Sequence, residues 1–109
     1  MDGSGDIGLT VEGHVACLTL SRPKKLNAMT PRMADRLYEA VVAINRNRDV
    51  RSVVLSGEGG RAFSVGSDIN ALDQYPQAWD FHNRMQDYPR SVRALRAPVV
   101  CAITGYCLG

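Results

Sequence analysis

Apolar and polar residues change period twice along this chain, and the changes mark its elements. Ile7, Leu9 and Val11 alternate with Gly8, Thr10 and Glu12; Glu12-Gly13 supplies a turn, and Val15 to Leu20 is apolar and β-branched. A period of two on both sides of a glycine turn predicts a β-hairpin. Pro23, in Arg22-Pro23-Lys24-Lys25, has no N–H to give a ladder, so the second strand ends there.

The period then lengthens. Thr30-Pro31 combines a hydroxyl cap with proline at the first helical position, and Met33, Leu37, Val41 and Ile44 follow on one helical face. The polar, cationic run Asn45-Arg46-Asn47-Arg48 suits a helix C-terminus. Val50 to Ser56 is short, apolar and β-branched, which predicts a buried parallel strand and hence a βαβ unit with a right-handed crossover. Gly57-Glu58-Gly59-Gly60 closes that strand as a turn. It is no phosphate loop, since no Gly-Lys-Ser/Thr follows and no helix starts there. Downstream, a short helix is expected over Asp68–Leu72 and a longer one, or two, over Gln77–Arg96, kinked or divided by Pro89. A last strand is expected over Val99–Ile103. With nothing to cover it, that strand is an open sheet edge.

Composition narrows the class. The 109 residues allow at most one domain, with a core of ordinary size. The net charge of +2 gives no reason to invoke nucleic acid or a membrane surface, and no apolar run is long enough to span a bilayer. Residues 1–7 are expected to be a flexible lead-in rather than a signal peptide, with the folded part over 8–109. Cys17, Cys101 and Cys107 form no CxxC and sit in apolar stretches, as reduced thiols of a cytoplasmic protein do. A catalytic thiolate at Cys107 would need a base, and His82 has no evident route to it.

The chemistry points to backbone rather than side chains. Arg61 to Ile69 (RAFSVGSDI) and Ala97 to Gly109 (APVVCAITGYCLG) each run from an apolar approach into a small-residue turn. Gly66 permits positive φ and close approach of a ligand. The N–H of Ser67 then falls where a helix is expected to start, and such N–H groups lack internal partners. Two turns of this kind facing each other would hold an oxygen atom as it gains negative charge. From the residues alone, a plain strand-to-helix turn capped by Ser67 or Asp68 is the competing reading.

Three segments, RPKKLNAM at Arg22–Met29, RAFSVGSDI and APVVCAITGYCLG, resemble the enoyl-CoA hydratase/isomerase (crotonase) superfamily in order and spacing. The resemblance implies an α/β fold, the crotonase-like (ClpP/crotonase) spiral of ββα units, of which this chain is the N-terminal portion. It implies an acyl-CoA thioester bound with its carbonyl oxygen between two backbone N–H groups while an enolate forms. The first donor would be Ser67; the second would be the residue after Gly109, which matches the first glycine of a three-glycine run. Lys24, Leu26 and Ala28 match positions lining the CoA channel. Asp68, Ile69 and Asn70, after Gly66 and Ser67, match the segment at the adenine and pantetheine end. For Lys24-Lys25 a solvated loop is the alternative.

The resemblance places two catalytic glutamates beyond Gly109. Glu12, Glu39 and Glu58 match neither, and His14 and His82 are expected to carry no chemistry. Hydration of a 2-enoyl-CoA comes first and double-bond isomerisation second; hydrolysis, decarboxylation and dehalogenation share the same front half. No metal and no cofactor beyond CoA itself is expected, and the complete protein is expected to form trimers or hexamers. This stretch alone is expected to have no turnover. Two rivals stand beside this reading: a non-catalytic acyl-CoA binder, and a serine peptidase of the Clp type, for which neither Ser64 nor Ser67 has an obvious histidine partner.

Overall fold

A computed structural model describes residues 5–70 and 87–109. The expected hairpin is present: β1 (Asp6–Glu12) pairs antiparallel with β2 (Val15–Ser21), from Asp6 opposite Ser21 to Glu12 opposite Val15. The strand starts inside the expected lead-in. Ile7 is buried opposite Leu20, and the Gly5 carbonyl accepts from Arg32 Nε at 3.2 Å. A 3-10 turn, Pro23–Lys25, follows β2.

Helix α1 (Pro31–Arg46) is capped as its sequence predicts, with the Thr30 side chain accepting from the Met33 N–H at 3.2 Å. Its buried face is Met33, Ala34, Leu37, Ala40, Val41 and Ile44. It returns the chain to β3 (Ser52–Gly57), which runs parallel to β2 with Ala16 opposite Val53 and Leu18 opposite Leu55. Registered residues of parallel strands share a face, so these side chains form one apolar layer under α1. Leu18, Met33, Leu37 and Val53 are its fully buried centre.

Beyond β3 the structure departs from the simple pattern. Ala62–Ser64 forms a three-residue strand, β4. Helix α2 (Asp87–Arg93) contains Pro89 and packs beside α1; the rest of the expected helix, over 77–86, lies outside the described residues. Strand β5 (Val99–Ala102) joins β3 in parallel and ends the main sheet, whose order is β1-β2-β3-β5. Strand β6 (Tyr106–Cys107) pairs in parallel with β4, making a second, two-stranded sheet. Asn45 ties the end of α2 to α1: its side chain donates to the Ala94 carbonyl at 2.9 Å and accepts from the Arg96 N–H at 3.1 Å.

Candidate functional site

The chain leaving β4 does not enter a helix at Ser67. It forms a single parallel bridge with Met29. Met29 donates to the Gly66 carbonyl and accepts from the Asp68 N–H, both at 2.8 Å. In a trans peptide the C=O and N–H point in opposite directions. The Gly66 carbonyl faces Met29, so the Ser67 N–H on the same peptide faces away, and no acceptor among the described residues takes it. The short helix expected over Asp68–Leu72 begins one residue later, at Ile69, with Asp68 Oδ1 accepting from the Asn70 N–H at its start. Ile69 and Asn70 form a 3-10 turn, and Ala71 and Leu72 lie outside the described residues. Peptide alternation, not a helix N-terminus, exposes this donor.

A buried polar scaffold holds the turn. Leu26 and Asn27 both adopt left-handed backbone, with φ of 54° and 57°. Asn27 is fully buried; its amide donates to the carbonyls of Glu58 (3.0 Å) and Ala62 (2.9 Å) and its oxygen accepts from the Arg22 N–H (2.9 Å). Ser64 Oγ donates to the Asn27 carbonyl at 2.7 Å and accepts from the Gly66 N–H at 3.1 Å. Arg22 spans the same gap from above, donating to Asp68 Oδ2 at 2.6 Å and to the Ala28 carbonyl at 3.3 Å. The other Asp68 oxygen accepts from the Asn70 N–H at 2.9 Å. Burial pushes the Asp68 carboxyl up, but the Arg22 and Asn70 hydrogen bonds and the charges of Arg22 and Lys25 outweigh it, leaving it below the usual carboxylate range.

The second motif arrives against the first. Ala62 registers with Tyr106 and Ser64 with Cys107, and the Leu108 N–H donates to the Ser64 carbonyl at 3.0 Å. Gly66 and Gly109 meet backbone to backbone with φ of 96° and 102°. A Cβ on Gly66 would lie 2.9 Å from the Gly109 Cα, and one on Gly109 2.6 Å from the Gly66 Cα. No side chain fits at either place, and the positive φ disfavours one independently. The two turns quoted above are thus brought together, with the Ser67 N–H beside the contact.

The other expected site residues are distributed around this corner. Lys24 is exposed on the 3-10 turn, Leu26 is half-buried, and Ala28 is buried below the bridge. Ile69 and Asn70 are exposed just past Asp68. Of the carboxylates, Glu39 pairs with Arg36 on α1 at 3.0 Å, Glu58 accepts from the Ser21 hydroxyl, and Glu12 ends β1. The His14 ring lies in the hairpin, 2.7 Å from the Asp49 carbonyl. His82 lies outside the described residues. Cys101 and Cys107 are exposed, and Cys17 is half-buried. Sequence reasoning passed over Asn27 and Tyr88, met Arg22 only as a strand end and motif member, and met Ser64 only as a nucleophile without a histidine partner. Asn27 carried one signal, since asparagine tolerates left-handed backbone better than most residues.

The profile of the enoyl-CoA hydratase/isomerase family matches residues 15–109. The chain belongs to that family. It is 30% identical over 106 residues to the crotonyl-CoA hydratase of Syntrophomonas wolfei, a match covering 95% of this chain and 41% of that protein. To the mitochondrial 3-hydroxyisobutyryl-CoA hydrolase of Gallus gallus it is 29% identical over 115 residues, covering 99% of this chain and 29% of the relative. Among solved structures, an enoyl-CoA hydratase/carnithine racemase from Magnetospirillum magneticum superposes with a TM-score of 0.83 at 37% identity, covering 96% of this chain and 40% of that one. The fold is the crotonase fold, and the chain spans less than half the length of these relatives. At the Gly66–Gly109 contact of this chain the two motifs face each other. No described helix is long and apolar enough to cross a membrane.

Proposed function

We propose that this chain supplies the thioester-carbonyl end of an acyl-CoA enzyme of the hydratase/isomerase type. The Ser67 N–H donates to the thioester oxygen as an enolate forms, and the residue after Gly109 supplies the second donor. One well-placed donor of this kind is worth about 3–4 kcal/mol in the transition state. The observation that carries the reading is the outward Ser67 N–H, taken by no acceptor among the described residues, beside the glycine contact. Hydration of a 2-enoyl-CoA is the first reaction and double-bond isomerisation the second. The carboxylates that would move protons lie beyond Gly109, so this stretch alone is expected to leave crotonyl-CoA unhydrated. CoA enters only as part of the substrate: in this reading Lys24 meets its phosphates, Leu26 and Ala28 line its channel, and Asp68, Ile69 and Asn70 meet its adenine and pantetheine end. Trimers or hexamers in the cytoplasm complete the proposal for the whole protein.

The serine-peptidase rival fares worse. Ser64 Oγ is buried between the Asn27 carbonyl and the Gly66 N–H, and neither Ser64 nor Ser67 meets a histidine among the described residues. The test is spectroscopic. Butyryl-CoA labelled with ¹³C at the thioester carbonyl should show a lowered C=O stretch when bound, because hydrogen bonding polarises the bond. The shift should survive Ser67→Ala, which keeps the N–H. Binding with an unshifted stretch would sink the oxyanion role.

A further inference from the structure

Ser64 has no part in the thioester reading, yet it bonds to both sides of the glycine contact. Its backbone carbonyl accepts from the N–H of Leu108, the residue before Gly109, at 3.0 Å. Its side-chain hydroxyl, on a residue only 7% exposed, donates to the Asn27 carbonyl at 2.7 Å and accepts from the Gly66 N–H at 3.1 Å. A carbonyl only accepts and an N–H only donates, so the one hydroxyl proton goes to Asn27 and a lone pair takes Gly66. Gly66 needs such a hold. With φ of 96° and no Cβ, it does not by itself choose an orientation for the peptides on either side. Two bonds choose it: the N–H to Ser64 Oγ, and the carbonyl accepting from the Met29 N–H at 2.8 Å. The Ser67 N–H shares a peptide with that carbonyl, so it points outward only while the carbonyl points at Met29. The Ser67 hydroxyl lies instead 3.2 Å from Tyr88 Oη on α2.

We propose that Ser64 is a positioning residue for the thioester site: its hydroxyl fixes the Gly66–Ser67 peptide and so aims the Ser67 N–H. This rests on the thioester reading given above. Without the hydroxyl, the Gly66 N–H is left in a buried place without its acceptor. Such an orphan costs as much as a backbone hydrogen bond contributes, or more. The turn relieves that loss by rotating the peptides about Gly66, and the carbonyl leaves Met29. The Leu108 N–H bonds to the backbone of Ser64, so a side-chain substitution leaves it in place. The Gly109 side keeps its position while the Ser67 side swings. Ser64 touches no substrate and moves no proton; it acts through Gly66.

The test reads the peptide without ligand and with it. In the ¹⁵N-labelled 109-residue chain, amide exchange of the Met29 N–H reports whether the Gly66 carbonyl is in place. Ser64→Ala should speed that exchange about tenfold. The Ala34 N–H, bonded to the Thr30 carbonyl at the start of α1, should be unaffected. With ¹³C-labelled butyryl-CoA bound, the lowered C=O stretch of the unaltered chain should lose most of its shift in Ser64→Ala. Ser91→Ala, which removes a buried hydroxyl on α2, should keep the whole shift. Ser64→Cys fills the same space with a weak acceptor and should move both signals in the same direction, which covers an alanine variant that does not fold. Unchanged Met29 exchange or an undiminished shift in a folded Ser64 variant would overturn the aiming role and leave the thioester reading standing. So would an equal loss in Ser91→Ala, or failure of both Ser64 variants to fold, since Ser64 would then serve the fold alone. An unshifted stretch, or no binding, in the unaltered chain would overturn the thioester reading, and the aiming role with it.

Discussion

The helix–sheet layer and the glycine corner are built on opposite principles. Between α1 and the sheet, Leu18, Met33, Leu37 and Val53 exclude water completely, and non-directional burial holds the layer together. At the corner, Tyr106 and Leu108 are 58% and 62% exposed, and the chain is held by directed hydrogen bonds from Asn27, Ser64 and Arg22. Burial tolerates small displacements of its parts. A fan of bonds to named carbonyls does not, and an aimed N–H needs that stiffness. The proposed thioester site therefore sits on a polar frame anchored to a dry layer.

The largest effect should come from breaking the dry side. Leu37→Ala should cost about 3–4 kcal/mol in urea denaturation, through lost burial and the cavity left under α1. Leu108→Ala, at 62% exposure, should change stability by less than about 0.5 kcal/mol. Comparable losses at both sites would mean that the corner is packed and not framed.

Next comes the centre of the frame. Asn27→Ala removes the partner of the buried Ala62 carbonyl and of the part-buried Glu58 carbonyl and Arg22 N–H. A loss of about 2–3 kcal/mol is expected. Unlike Leu37→Ala, it should also weaken butyryl-CoA binding under conditions where the variant is fully folded. If binding survives unchanged, Asn27 supports the fold without aiming the turn.

How much of this was readable follows from the same contrast. The hairpin, α1 with its Thr30 cap, and β3 announce themselves through periods of two and 3.6, because burial on one face writes itself into residue spacing. The strands β4 and β6 are three and two residues long, too short to carry any period. Asn27 sits fully buried inside a loop, where apolar patterning is silent about polar hubs. Ser67 was singled out as a helix-start donor; the peptide geometry at Met29 exposes it instead, which only the pairing of distant segments reveals.

The Arg22–Asp68 pair offers a finer test of the frame. Both side chains are mostly covered, at 13% and 12% exposure, so removing one partner leaves the other charge poorly solvated. Arg22→Met should cost about 2 kcal/mol, and adding Asp68→Asn should recover part of that. The pH dependence has a definite sign. The folded Asp68 carboxyl lies below its unfolded value of about 3.9, so its contribution is complete above that value. It is lost as pH falls through the lower, folded value. Asp68→Asn should flatten this acid limb, and an unchanged limb would show that another carboxylate dominates it.

The smallest effect should come from a pair that looks similar and is not. Arg36 meets Asp6 at 3.0 Å and Glu39 at 3.0 Å, but its side chain is 45% exposed and those of its partners 45% and 62%. Water already solvates all three charges, and holding two long side chains in place costs entropy. Arg36→Ala should therefore change stability by less than about 0.5 kcal/mol and leave the Ser67 turn untouched, since none of its partners reaches the corner. The contrast with Arg22 isolates what matters in an ion pair here. Bond lengths are alike to within a few tenths of an ångström, and only coverage differs. Should Arg36→Ala prove as costly as Arg22→Met in the same denaturation series, coverage would not be what gives the corner its rigidity, and the division between a dry layer and a polar frame would lose its physical basis.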